Sequence, residues 1–141
     1  VGDGPERENL AQLIGSLHLN GRAYLCGVRK NIKAIYDMID FLVIPSFTEG
    51  LPYVLLEAMA SGIPVLATAV GDIPLLTQDG VTGYLVPPGD RAAMNRRMRD
   101  LLTYPEQAAS MARRARVVVE ERYSARRMVE QTEQLYSSLL L

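Results

Sequence analysis

The run Phe41-Leu42-Val43-Ile44-Pro45 opens the segment that decides the fold, and the run Pro64-Val65-Leu66-Ala67-Thr68 closes it. Uninterrupted apolar runs of this kind are typical of strands that are buried on both faces, as in parallel sheets. Between the two runs, residues 52–61 are apolar almost all round, which predicts a buried helix. A strand, a helix and a second strand in this order predict an α/β fold with a parallel sheet.

The same alternation of helices and short strands continues on both sides of this segment, and after residue 90 the pattern becomes wholly helical. Asp90 and Ser124 each precede a helical pattern and are predicted N-caps, while Pro105 suits the first turn of a helix. The predicted fold class is therefore α/β, with a Rossmann-like, doubly wound, mostly parallel sheet and additional C-terminal helices. The other predicted elements are helices over 6–17, 32–39 and 92–103 and strands over 23–26 and 83–86.

The composition of the chain suits one globular domain, since it has 141 residues, of which 48% are hydrophobic and 22% are charged. Its single cysteine, Cys26, excludes a disulfide scaffold, and with a single histidine, His18, a zinc cluster is not expected. Because the first residue is Val1, we expect residues 1–141 to be one domain of a longer protein, without the first strand of that domain.

The net charge of −1 argues against a nucleic-acid partner, but the charge is unevenly distributed along the chain. Residues 91–127 contain 10 arginines and 4 acidic residues, and all ten arginines fall on predicted helices. One interpretation is a solvated helix surface. The other is a basic face that contacts an anionic membrane or a phosphorylated acceptor. The sequence leaves both interpretations open.

Glu57 is the only charged residue between Pro52 and Ala60, inside the helix that Pro52 is predicted to start and Gly62 to stop. A carboxylate in a buried helix needs hydrogen-bond donors, because burying its charge alone is costly. The donors are either protein groups, such as an arginine or backbone N–H groups, or the two hydroxyls of a ligand diol. Three further residues are predicted to lie in the core: Tyr53, Met59 and Tyr84.

The loop Pro45-Ser46-Phe47-Thr48-Glu49-Gly50-Leu51 leads from the first strand into this helix. The first N–H groups of a helix have no acceptor within it and suit an anion such as a diphosphate. Gly50 permits a close approach of a ligand, and Ser46 either donates to a phosphate or shapes the turn. Glu49 would be repelled by a phosphate unless it faces sugar hydroxyls. The loop and the helix together therefore predict a nucleotide-sugar site.

Glu49, seven intervening residues and Glu57 resemble the E-x7-E signature of retaining glycosyltransferases with the GT-B fold, and of glycosyltransferase family four in particular. The resemblance covers about residues 2–138, and the segments that carry it lie at 2–5, 45–52, 57–65 and 80–90. Leu75 departs from the family, which often has an acidic residue after the equivalent of Gly71-Asp72-Ile73-Pro74. The arginine and lysine that the family brings to the phosphates fall before Val1.

The resemblance implies the C-terminal half of a GT-B enzyme, a retaining transferase of the hexosyltransferase type that needs neither a metal nor another cofactor. Its partners would be a nucleotide sugar and the N-terminal acceptor domain, without which the chain is expected to be inactive. The expected location is the cytoplasm, with the inner face of the membrane as a further expectation. The implied site residues are Glu49 at the transferred sugar as the catalytic residue, Glu57 at the ribose, Ser46, Gly50, Leu51, Pro52 and Tyr53 at the diphosphate, and Gly27, Val28 and Arg29 at the nucleobase.

Two alternatives remain at this stage. One is a glycan synthase or a sugar phosphorylase that shares this donor domain, although no evident lysine for a pyridoxal cofactor is present. The other is a non-catalytic α/β nucleotide-binding or interaction module that pairs as a homodimer through its last helices. The apolar residues available for such pairing are Val129, Leu135, Leu139 and Leu140.

Overall fold

The computed structural model describes residues 1–139, and their contacts divide the chain into two compact units, Val1–Asp37 and Met38–Leu141. Leu140, one of the residues predicted to support pairing, lies outside the described residues. Within the described part of the chain, no helix is both long and apolar enough to span a membrane.

The first unit contains two helices, α1 (Arg7–Ser16) and α2 (Ile32–Tyr36). Both helices were predicted, but α2 ends earlier than the pattern indicates. The predicted strand over 23–26 is wrong, because a strand requires a ladder of hydrogen bonds to a neighbour. The bridge found here lies just after the segment, where the N–H of Gly2 donates to the carbonyl oxygen of Gly27 at 2.8 Å.

The sheet lies in the second unit and consists, in the described residues, of β1 (Leu42–Ile44), β2 (Val65–Thr68) and β3 (Tyr84–Val86). The strands are parallel and follow the order β1-β2-β3, with Val43 beside Leu66 and Ala67 beside Leu85. All four residues of β2 are buried, so both faces of the central strand are covered. The prediction of an α/β fold with a parallel sheet is confirmed.

Three of the predicted caps are present in the helices of the second unit, whereas the short helix α4 was not predicted. The carboxylate Oδ1 of Asp90 accepts the N–H of Ala93 at 2.8 Å, and the hydroxyl of Ser124 accepts the N–H of Arg127 at 3.3 Å. Gly62 follows the last turn of its helix with a φ of +72°, a conformation that glycine adopts without strain. The helices are α3 (Tyr53–Ala60), α4 (Ile73–Leu76), α5 (Arg91–Thr103), α6 (Pro105–Arg122) and α7 (Ala125–Leu139).

The core lies between the sheet and helices α3, α5 and α6. Helix α3 packs against β2 and α6, and α5 packs against β2 and β3. Met59 and Tyr84 are buried as predicted. None of the residues of α7 is buried, although this helix has a continuous apolar face. The residues of the main apolar cluster are Leu66, Tyr84, Val86, Ala93, Leu101, Ala108 and Met111.

Part of the arginine charge is balanced within the protein. The Nη2 atom of Arg97 lies 3.3 Å from Oδ2 of Asp79, and its Nη1 atom lies 3.4 Å from Oδ2 of Asp100. The guanidinium carbon of Arg97 is 4.3 Å from the ring centroid of Tyr84. Burial and the neighbouring Asp100 raise the pKa of Tyr84 above its ordinary value. Exposed ion pairs along the helices also join Arg116 to Glu120, Arg126 to Glu130 and Arg127 to Glu130.

Candidate functional site

The site loop, residues 45–52, leaves the carboxyl end of β1, where parallel α/β sheets bind their ligands. Thr68, at the carboxyl end of β2, holds the start of this loop. Its buried hydroxyl donates to the carbonyl oxygen of Ser46 at 2.6 Å and lies 3.3 Å from the carbonyl oxygen of Ile44. A buried hydroxyl needs such a partner, so the path of the chain out of β1 is fixed by the neighbouring strand.

Glu49 is partly buried and is positioned by Ser46, whose hydroxyl donates to the carboxylate oxygen Oε1 at 2.6 Å. Hydrogen bonds to a charged acceptor are stronger than those between neutral groups. The sequence suggests that Ser46 either serves a phosphate or shapes the turn. In this structure the hydroxyl of Ser46 donates to Glu49, so the predicted catalytic residue is positioned by a side chain of the same loop.

Gly71, in the turn after β2, supports the same loop from the other side. Its φ is +54°, and a Cβ atom at this position would lie 2.0 Å from the carbonyl oxygen of Glu49. The next residue, Asp72, donates its N–H to the carbonyl oxygen of Gly50 at 3.2 Å. Only glycine combines this backbone conformation with so close an approach. Gly71 belongs to a segment that resembles the family, but no local pattern in the sequence predicts its contact with the site loop.

The beginning of α3 faces this loop without a side-chain cap. Pro52 is buried and occupies the N-cap position with a ψ of 109°, so the prediction that it is the first helical residue is off by one. Its carbonyl oxygen accepts the N–H of Leu55 at 3.0 Å. The helix axis starts directly after Gly50 and Leu51, and its dipole places partial positive charge beside the loop.

Glu57 lies on the exposed face of α3, so the prediction of a buried carboxylate is wrong. The helix turns Leu55, Ala58 and Met59 toward the core, and all three are fully buried. Tyr53, one turn before Glu57, is 74% exposed, which corrects its predicted place in the core. The apolar composition of α3 led to the wrong prediction, because composition alone does not show how many sides of a helix are covered by other elements. Glu57 is therefore exposed to solvent and does not carry the cost of a buried charge.

The three residues predicted to lie at the nucleobase, Gly27, Val28 and Arg29, belong to the first unit. Gly27 carries the bridge to Gly2, and Val28 and Arg29 are exposed. Their role stays a prediction. Among residues 1–139, no cluster of three or more His, Cys, Asp or Glu side chains could hold a metal ion.

A parallel sheet with a ligand loop at the carboxyl end of one strand and a helix beginning beside it defines an α/β domain of Rossmann-like architecture. The chain belongs to the glycosyl transferases of group 1, since residues 1–104 match that family. A sequence relative is the N-acetyl-alpha-D-glucosaminyl L-malate synthase of Bacillus anthracis, which is 38% identical over 140 residues, 99% of this chain and 37% of that protein.

Solved structures agree with this assignment. A sucrose-phosphate synthase from Thermosynechococcus elongatus superposes with a TM-score of 0.89 at 29% identity, over 99% of this chain and 37% of that one. Anabaena HepE, solved in complex with UDP, superposes with a TM-score of 0.89 at 26% identity, over 93% of this chain and 36% of that one. The chain thus spans little more than a third of the length of these proteins, and the expected family and half of a GT-B fold are confirmed.

Proposed function

We propose that this chain, as a single domain over residues 1–141, binds the nucleotide-sugar donor of a retaining glycosyltransferase. The observation that carries the proposal is the likeness to HepE, which has been solved in complex with UDP-glucose. That structure superposes over 93% of this chain with a TM-score of 0.86 at 26% identity. The acceptor-binding domain is proposed to lie in the remainder of a longer protein, because the chain covers 36% of HepE.

The geometry of the site loop supports the residue roles in this proposal. Glu49 is held by Ser46 at 2.6 Å and lies beside the start of α3, where it can accept hydrogen bonds from the transferred sugar. Glu57 is exposed one turn along α3, where its carboxylate is proposed to accept both hydroxyls of a ribose. The main chain of Gly50, Leu51 and Tyr53 then lies where the diphosphate is proposed to bind, with the helix dipole directed at its charge.

The chemistry of the proposed reaction is positioning and charge stabilisation. As the bond from the sugar to the diphosphate breaks, negative charge accumulates on the departing phosphate oxygen. Backbone N–H groups at the beginning of α3 stabilise this charge without reorganising. The acceptor hydroxyl, held by the rest of the protein, attacks the same face of the sugar, and Glu49 orients that sugar.

Titration calorimetry of the chain with UDP and with GDP tests the proposal. We expect weak binding of one or both nucleotides that is unchanged by EDTA. In Glu57→Ala the affinity should fall by about tenfold or more, because the ribose loses a charged acceptor. Glu133→Ala, which removes an equally exposed glutamate from α7, is the matched control and should bind like the unmodified chain.

The possible results separate the parts of the proposal. Equal affinity of Glu57→Ala and the unmodified chain would show that Glu57 does not hold the ribose. The absence of any nucleotide binding would contradict the donor-domain proposal as a whole. The cytoplasmic location and contact of the arginine-rich helices with a membrane stay predictions.

A second candidate is the pairing of two copies of the chain through α7. One observation favours it: Met128, Leu135 and Leu139 are 63%, 57% and 73% exposed, although they lie on one face of the helix. An exposed apolar stripe of this kind is typical of a surface that another element covers.

A further inference from the structure

A groove of about 530 Å³ lies beside the site loop, and the proposed donor chemistry does not use it. It runs past the carboxyl ends of all three strands, between Phe47 and helix α5. Its volume falls within the usual range of small-molecule pockets, about 300–1,000 Å³. The apolar residues that line it are Pro45, Phe47, Pro87, Met94, Met98 and Leu102.

Helix α5 presents two adjacent rows of side chains to this groove. Met94, Met98 and Leu102 follow one another at intervals of four residues and form an apolar row. Arg91, Asn95 and Arg99 form a polar row beside it with the same spacing. The described residues 1–139 leave apolar side chains of the groove uncovered, since Phe47 is 74% exposed and Leu102 is 66% exposed.

The charge of the groove is positive. Arg91 forms no ion pair with a carboxylate in the described part of the chain, and the Nε–H of Arg99 donates to Asn95 Oδ1 at 3.1 Å. The carboxylate in the lining, Asp90, is engaged as the N-cap of α5. The groove therefore combines an apolar surface with two exposed guanidinium groups.

Apart from the two arginines, the polar side chains that line the groove each form a hydrogen bond within the protein. The hydroxyl of Thr68 donates to Ser46, Asp90 accepts from Ala93, and Asn95 accepts from Arg99. A peptide partner would require fixed donors and acceptors for its backbone, and each of these groups already has a partner within the protein. An amphiphile requires only apolar contact and a positive charge for its headgroup, which is the chemistry that remains.

We propose that the groove between Phe47 and α5 binds anionic lipid, with the acyl chain against Phe47, Met98 and Leu102 and the headgroup phosphate at Arg91 and Arg99. The arginine side chains and the apolar row lie on one face of a single helix, so one lipid surface can contact both. This proposal goes beyond donor binding, and nothing in it depends on sugar transfer.

Flotation of the chain with vesicles tests the proposal directly. We expect binding to vesicles of equal parts phosphatidylglycerol and phosphatidylcholine and none to phosphatidylcholine alone. The double variant Arg91→Gln/Arg99→Gln should bind about thirtyfold more weakly, since each basic residue near an anionic surface contributes about 1 kcal/mol. Phe47→Ser/Met98→Ser, which removes apolar contact and keeps the charge, should lose binding as well.

The matched control is Arg113→Gln/Arg122→Gln, which removes two exposed arginines from α6 and changes the net charge equally. It should bind phosphatidylglycerol vesicles like the unmodified chain. An equal loss in both arginine variants would overturn the proposal in favour of diffuse charge attraction. Full binding by Phe47→Ser/Met98→Ser would overturn it in favour of a headgroup contact alone, and so would competition by millimolar glycerol 3-phosphate.

The remaining result is a chain that binds neither vesicle, which also overturns the proposal. Each variant is compared with the unmodified chain by circular dichroism and thermal melting, so that unfolding is not taken for lost binding. Because all six substituted residues are exposed, we expect the fold of each variant to be unchanged. Nucleotide titration of the same variants distinguishes a failure here from a failure of the donor-site proposal.

Discussion

Helices α3 and α7 both carry apolar residues, yet they are used in opposite ways. In α3, Leu55, Ala58 and Met59 are each 0% exposed, because the helix packs between β2 and α6. In α7, no residue is buried, and Leu135 and Leu139 are more than half exposed. The pattern of apolar residues is more regular in α7 than in α3. A regular apolar stripe therefore indicates that a helix has a face to cover, and tertiary structure decides whether this chain covers it.

The largest expected difference between the two helices lies in how much the free energy of unfolding falls when a leucine is replaced by alanine. Leu55→Ala should lower the free energy of unfolding by about 2–5 kcal/mol, because it leaves a cavity in a packed core. Leu135→Ala, the same change on α7, should lower it by less than about 0.5 kcal/mol. Urea denaturation followed by circular dichroism measures both. Similar losses in the two variants would mean that α7 is packed in solution.

A smaller effect is expected where α3 begins. Gly71→Ala should destabilise the chain by more than the ~1–2 kcal/mol that a left-handed conformation costs alanine, because its Cβ also meets the carbonyl of Glu49. Gly80→Ala is the matched control, since Gly80 has a φ of +71° and open space around it. Urea denaturation gives the stability of each. Gly71→Ala should also bind nucleotide more weakly than Gly80→Ala, and equal affinities would contradict the proposed place of the site loop.

The smallest effect on folded stability is expected for a substitution in α7, where the quantity that changes is the oligomeric state. If two copies pair through α7, light scattering after size exclusion should give a mass that rises toward that of a dimer with concentration. Leu135→Ser should keep the chain monomeric over the same range while leaving its folded stability nearly unchanged. Arg113→Gln, on the surface of α6, serves as the control. A strict monomer at high concentration would contradict pairing through α7.

Much of the fold was predictable because its signals are local. Buried parallel strands are recognisable in the sequence as short apolar runs. Helix ends are recognisable from capping residues, which here are Asp90 and Ser124 at helix starts and Gly62 at a helix end. The absence of a strand over 23–26 was not predictable in the same way. The residues of this segment are apolar enough, but a strand exists only where a neighbour supplies hydrogen bonds, and the sequence does not say whether one is present.

The candidate site was predictable in its residues and less so in its geometry. The spacing of Glu49 and Glu57 and the helix beginning between them were evident, whereas the exposure of Glu57 was not. Whether a face of α3 is covered depends on contacts far away in sequence. The contact of Gly71 with Glu49 joins residues 22 positions apart, and the groove beside Phe47 is formed by elements from three parts of the chain. Distant contacts of this kind leave no local pattern.

The anchoring of the site loop by Thr68, Gly71 and Asp72 has a consequence for redesign. These residues hold the main chain at positions 46, 49 and 50, while the side chains of Phe47 and Thr48 stay exposed. The backbone scaffold and the variable positions are thus separate in the same short loop. A library randomised at positions 47 and 48 alone would vary the ligand preference while the backbone of the loop stays unchanged. A library that also includes position 71 would disturb that backbone.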